Sequence, residues 1–190
     1  MKIGLFFGSF NPVHIGHMAL ANYMLEFEDL DQVWFVLSPQ NPLKDKSILL
    51  DQNNRLVLLN LAIDDHPKMR VCTIEFNLPK PSYTVHTLAH LSEKHPEHQF
   101  RLLMGQDILK NFGKWKNYEE ILRKYKILVY PRPHAEASEF DNHAHLRFTN
   151  APLMEVSSSF IRKGVKAKKN MRFFLPPKVW EEIDACGFYR

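Results

Sequence analysis

Apolar residues along the chain fall into two kinds of pattern, and their order predicts the fold. Residues 3–7 form a short apolar run bounded by glycines, too short for a helix, and read as a buried strand. Over 15–28, Met18, Leu20, Ala21, Met24, Leu25 and Phe27 recur at helical spacing, after which Gln32–Leu37 is again a strand-like run. The alternation continues with a helix over 51–63, a strand over 69–74, a helix over 82–95 capped by Ser82, and a strand over 99–104. Further strands are expected at Lys126–Tyr130 and Leu146–Phe148, and a proline start predicts a short amphipathic helix over 176–186.

Continuous apolar strands separated by helices indicate a parallel sheet covered on both faces. Right-handed crossovers then make a doubly wound, Rossmann-like α/β fold the natural solution, with a short C-terminal helical segment. The 190 residues, 45% hydrophobic and 24% charged, suit one domain spanning 1–190, with no internal repeat or low-complexity tract. The least patterned stretches, 38–50 and 131–145, are rich in Pro, Lys, His and Asn and follow strand ends. Ligands of open α/β sheets bind beyond those ends, so both loops are candidates for substrate contact.

Charge changes this picture only slightly. A net +4, from 25 basic and 21 acidic residues, mildly favours anionic ligands such as phosphates. A nucleic-acid partner would rest on that charge alone and is not expected. Cys72 and Cys186 stand far apart in no paired spacing, which suggests neither a disulfide framework nor a zinc ribbon. A reducing, cytoplasmic setting is expected. No apolar stretch approaches the roughly 20 residues of a membrane span and no cleavage-type leader is evident, so a soluble chain without a membrane partner is expected. Nothing in the sequence specifies an oligomeric state.

Candidate chemistry concentrates in Gly8-Ser9-Phe10-Asn11-Pro12-Val13-His14-Ile15-Gly16-His17. Gly8 would let a phosphate approach the backbone, Pro12 stiffens the turn, and the helix start near Ile15 aims unpaired N–H groups at an anion. His14 and His17, three apart, can lie on one face beside the same phosphate. An isolated His-x-x-His pair is more often incidental, and a metal site would need a third ligand that the neighbourhood does not suggest. No protein metal site is expected.

A second stretch, 156–162, places Ser157, Ser158 and Ser159 at a helix start, with Arg162 one turn on. Such hydroxyls cap the helix or donate to phosphate, and a guanidinium reaches the same anion with a planar fork. On its own the stretch reads as an ordinary N-cap. The basic run Lys163, Lys166, Lys168 and Lys169 reads as solvated surface.

Together, Gly-Ser-Phe-Asn-Pro before His14-Ile15-Gly16-His17 resembles the nucleotidyltransferase superfamily with the His-x-Gly-His signature. Residues 156–162 resemble its Ile-Ser-Ser-Thr-x-Ile-Arg motif, with Val156 and Ser159 as conservative departures. The resemblance implies a Rossmann-like fold, with His14, His17 and Arg162 as the catalytic groups. It also implies ATP contacts from Gly8, Ser9, Phe10, His17, Ser157, Ser158, Ile161 and Arg162.

The acceptor must be read elsewhere. Pro81-Ser82-Tyr83-Thr84-Val85 opens a helix that could hold a small carboxylate or amide, Gly105-Gln106-Asp107 offers an aspartate to ribose hydroxyls, and Trp115 could stack on an electron-poor ring or simply be core. In this order the segments resemble the nicotinate mononucleotide adenylyltransferase family, over nearly the whole chain. That resemblance implies Gly105 and Asp107 on the ATP side, and Asn11, Lys44, Tyr83, Thr84, Trp115 and Arg132 around the pyridine nucleotide. ATP and nicotinate mononucleotide are the implied substrates, with Mg²⁺ accompanying ATP. Another acceptor such as phosphopantetheine, or a noncatalytic ATP or NAD sensor, are the alternatives. His86 and His90 lack the glutamate pattern of a zinc hydrolase, and His134, His143 and His145 are expected at the surface.

Overall fold

The computed structural model describes residues 1–39 and 49–190. Among them, six strands form one parallel sheet: β1 (Lys2–Gly8), β2 (Gln32–Leu37), β3 (Met69–Cys72), β4 (Gln99–Gly105), β5 (Lys126–Tyr130) and β6 (Leu146–Phe148). The spatial order is β3-β2-β1-β4-β5-β6, so the winding direction reverses between β1 and β4. Each strand follows its neighbour in parallel register, for example Leu5 beside Trp34 on one side and Leu102 on the other.

The apolar strands read as continuous because both faces are covered. Phe6, Phe35, Leu103 and Leu128 belong to one core, whereas Leu5, Trp34, Leu102 and Ile127 belong to the other. This is the period-2 alternation of a pleated strand, with apolar residues required on both sides. Helices α1 (Ile15–Phe27), α2 (Gln52–Ile63), α6 (Ser158–Lys166) and α7 (Pro177–Cys186) supply side chains to the first core. Helices α3 (Thr84–Lys94) and α5 (Tyr118–Lys124) supply the second, and a four-residue α4 (Gln106–Leu109) leaves β4 directly.

Local chemistry sets the helix ends. Asp51 caps α2 by accepting from the Asn53 N–H at 2.8 Å, and α7 stops at Gly187, whose φ of 66° is left-handed. Two boundaries differ from the sequence expectation. The helix predicted over 82–95 begins at Thr84, with extended Tyr83 at the cap position. Ser82 does not cap it, because its hydroxyl donates to the buried Glu75 carboxylate at 3.0 Å, as does Thr87 at 2.9 Å. Likewise β3 ends at Cys72 instead of reaching residue 74, since the chain tightens into a 3₁₀ turn at Ile74–Asn77 that buries Glu75. Among the described residues, no helix is long and apolar enough to cross a membrane.

Candidate active site

β1 delivers the first loop to the sheet's reversal point, and aromatic packing then shapes it. Phe10 takes a left-handed φ of 42° that turns its ring inward, edge-on to Phe6, Phe35 and His17 at centroid distances of 5.7, 5.5 and 5.1 Å. The Phe10 side chain is therefore a buried plug beneath the loop and not a surface for ATP. Gly8 is explained by the same ring: a Cβ there would lie 2.8 Å from it. Its missing side chain makes room for Phe10.

His14 is the N-cap residue of α1 and His17 stands one turn on. Their rings stack at 3.7 Å with 27° between planes. The His14 backbone N–H donates to Nδ1 of His17 at 3.2 Å, so in the neutral imidazole the proton of His17 resides on Nε2. Gly16 allows this stack, because a Cβ would approach Nδ1 of His14 to 3.1 Å. Burial, reinforced by the Arg132 charge, lowers the His14 pKa to about 4, which leaves the ring neutral near pH 7.

The second signature docks on the first. Ser157 caps α6 by accepting from the Phe160 N–H at 3.2 Å, and Ser158 donates its hydroxyl proton to the Pro12 carbonyl at 2.8 Å. Arg162 donates to the Asn11 carbonyl at 2.7 Å and to Oγ of Ser159 at 3.2 Å. Ile161 is fully buried in the core below, so its side chain does not reach the cleft. Ser9, His14, His17, Ser157, Ser158 and Arg162 line one cavity of about 510 Å³, which brings the two distant signatures together.

Strands β4 and β5 complete the wall. Nε of Arg132 lies 3.6 Å from Oδ1 of Asp107, and the guanidinium also donates to the Met154 carbonyl at 2.9 Å. At Gly105 a Cβ would meet the Asp107 carboxylate at 2.5 Å and Arg132 and Tyr130 at 3.2 Å, so a side chain there would displace the Asp107 carboxylate. Burial pushes the Tyr130 phenol up to about 12, so it stays protonated beside this pair. Asp107 is the one carboxylate among the described lining residues and is already paired with a cation.

Other expected residues lie apart from this cavity. Tyr83 is exposed, under Lys116 whose ammonium sits 4.6 Å from its ring centroid, and Thr84 is the first residue of α3. Trp115 is half-buried, edge-on to Phe112 at 5.3 Å in the second core. The Lys116–Tyr83 contact joins the two segments beyond the ends of β3 and β4. Lys44 lies outside the described residues. Lys163, Lys166, Lys168 and Lys169 are exposed, as are His86, His90, His134 and His143. His145 is not simply surface, because its Nδ1 bonds the Leu122 carbonyl. His95, Glu97 and His98 group their donor atoms within 4.8 Å. The two imidazoles stack with centroids 5.5 Å and planes 6° apart.

Three residues of this region were missed from sequence. Arg55 is fully buried and donates to four backbone carbonyls: Leu50 at 2.8 Å, Ser9 at 2.7 Å, Ser38 at 2.8 Å and Pro39 at 2.9 Å. Its position was detectable, since Arg55 shares the buried face of α2 with Leu58, Leu59 and Ala62. Tyr130 ends a strand and carried no separate signal. Tyr189 donates its hydroxyl to Oδ1 of Asn11 at 2.9 Å, and that same oxygen accepts from the Leu50 N–H at 3.2 Å. Asn11 is thereby buried as a joint, with its Oδ1 committed to the scaffold.

A parallel α/β sheet with the order 3-2-1-4-5-6, and histidine, arginine and helix N-termini gathered at its reversal point, defines a nucleotide-phosphate-binding protein. More particularly, the chain belongs to the cytidylyltransferase-like family, whose model matches residues 5–164. It is 54% identical over the full length of both chains to the "Probable nicotinate-nucleotide adenylyltransferase" of Flavobacterium psychrophilum. A relative of the same name from Cytophaga hutchinsonii is 48% identical, with 100% of this chain and 98% of that one covered. Among solved structures, Plasmodium falciparum nicotinic acid mononucleotide adenylyltransferase complexed with NaAD superposes with a TM-score of 0.82. That match covers 99% of this chain and 97% of the other at 18% identity, a likeness of fold.

Proposed function

We propose that this chain transfers the adenylyl group of ATP to nicotinate mononucleotide, giving nicotinate adenine dinucleotide and pyrophosphate in NAD biosynthesis. The observation that carries the reading is the convergence of His14, His17, Arg132 and Arg162 on one cavity, in a chain of this family. A phosphate oxygen of the mononucleotide attacks the α-phosphorus of ATP. The new O–P bond forms as the bond to the β-phosphate oxygen breaks, and the electron pair leaves with pyrophosphate.

A phosphate oxyanion needs no general base, so the residues act by alignment and by countering charge on the leaving group. His17, with its proton on Nε2, donates to an oxygen at the reacting phosphorus. His14 arrives neutral and gains proton affinity as the triphosphate approaches. Arg162 and the N-terminus of α6 take the β and γ phosphates, and since the Ser158 proton is held by Pro12, backbone N–H groups there supply the donors. Arg132 counters charge between ATP and acceptor while Asp107, relieved of its partner, takes ribose hydroxyls. Tyr83, Thr84, Trp115 and Lys44 serve the pyridine nucleotide.

The cleft suits Mg²⁺ carried in on ATP, because among the described residues its lining offers one carboxylate, Asp107, already paired with Arg132, and no dedicated cage. When bound, that ion neutralises phosphate charge. A cytoplasmic location fits the two unpaired cysteines. Pyrophosphate release is the test, measured with ATP, Mg²⁺ and either nicotinate or nicotinamide mononucleotide. Turnover with the acid form is expected; no release with either acceptor would defeat the proposal.

A further inference from the structure

We infer that Tyr189 is a positioning residue for this cleft, acting through Asn11. The inference rests on the adenylyltransferase reading but adds a residue that neither signature contains. The loop after β1 carries His14 and His17, and its backbone is held at two points by cations. Arg55 takes the Ser9 carbonyl from beneath, and Arg162 takes the Asn11 carbonyl from α6. Neither bond fixes the Asn11 side chain. That is done by the Tyr189 hydroxyl at 2.9 Å and the Leu50 N–H at 3.2 Å, which share Oδ1 as acceptor.

The geometry that brings Tyr189 there is built into the chain after α7. Gly187 takes φ of 66°, and the Phe188 N–H donates back to the Ile183 carbonyl at 3.0 Å, which reverses the chain direction. Tyr189 itself takes φ of 67°, a left-handed conformation that an aromatic residue adopts only at a cost and that surrounding contacts must hold. Its ring packs against the first core, and burial raises its pKa, so the phenol remains a donor. One oxygen of Asn11 therefore couples the triphosphate loop to the Leu50 backbone just ahead of α2, and Tyr189 sets its orientation.

Tyr189→Phe removes the hydroxyl and keeps the ring, so it isolates this role. Loss of loop alignment is expected to lower kcat about tenfold. It should also raise KM for the mononucleotide severalfold and weaken ATP binding, measured by calorimetry without acceptor, about threefold. The melting temperature should fall by no more than a few degrees, since one hydrogen bond is lost. Because Tyr189 acts through Asn11, the Asn11→Ala, Tyr189→Phe double variant should be no slower than Asn11→Ala alone. Wild-type kcat, KM and ATP affinity in Tyr189→Phe, or simple additivity in the double variant, would overturn the inference. A wild-type enzyme inert toward nicotinate mononucleotide would instead refute the assigned reaction, while the ATP titrations would still decide the role of Tyr189.

Discussion

The two halves of the candidate site are built differently. On the triphosphate side, side chains and backbone from α1, α6 and β5 are tied to one another before any ligand arrives. Ser158 is bonded to Pro12, Arg162 to Asn11, Arg132 to Met154, and His17 accepts from the His14 backbone. On the proposed acceptor side, Tyr83 and Thr84 open α3 and Trp115 closes a 3₁₀ turn at residues 112–114, the two segments being linked by the Lys116–Tyr83 cation–π contact. A rigid half costs little reorganisation when charge develops on a leaving group, which is where preorganised donors are most effective. The looser half has only to admit and orient a small ring. Turnover should therefore be sensitive to the first half, and acceptor affinity to the second.

The largest expected effect concerns the price of that rigidity. His14 has a folded pKa of about 4 against about 6.5 when unfolded, so the unfolded chain binds the proton first as pH falls. Stability attributable to the neutral ring is present above about pH 6.5 and is lost on acidification toward pH 4. The shift corresponds to roughly 3 kcal/mol. Urea unfolding from pH 7.5 to 4 should show this decline in the wild type and a flatter one in His14→Asn; equal slopes would mean that His14 is not the group responsible.

Next is His17→Ala, which removes a preorganised donor and should reduce kcat by roughly 10² or more, with ATP affinity changed far less. Steady-state kinetics with near-native kcat would show that the tied half is not where the reaction is controlled. Arg162→Lys keeps the charge but loses the fork that grips Asn11 and Ser159 at once, so a drop of about tenfold in kcat/KM for ATP is expected. The smallest effect sharpens the contrast from the other side. Trp115→Ala should raise KM for the mononucleotide about fivefold, on the scale of one exposed stacking contact, while KM for ATP stays put. If instead KM for ATP rose in parallel, the division into two halves would collapse.

Legibility from sequence followed the same division. β1 and β2 could be placed because each is an unbroken apolar run bounded by turn residues, and both faces are buried as such runs require. The segment between β4 and β5 was not resolved into elements. α4 and α5 span only four and seven residues, and α5 starts from a left-handed Asn117, so neither offers enough turns to show a period. His14, His17 and Arg162 were readable because their spacing carries a resemblance. The joint that Asn11 makes was not legible, because Tyr189 and Leu50 meet on its Oδ1, a contact no local pattern announces. The burial of Arg55 was legible from its place on the apolar face of α2, but its role was not, because the Ser9 and Ser38 carbonyls it holds come from segments distant in sequence.

The tight stack of imidazoles also determines where the signature has latitude. Ile15 faces outward with 39% of its surface exposed, whereas a methyl group at its neighbour 16 would press on the His14 ring at 3.1 Å. In a chain with Ile15→Cys and with Cys72 and Cys186 replaced by Ser, a thiol-reactive fluorophore at position 15 would thus ride beside the cleft, close enough to sense an arriving nucleotide and outside the packing that aligns the rings.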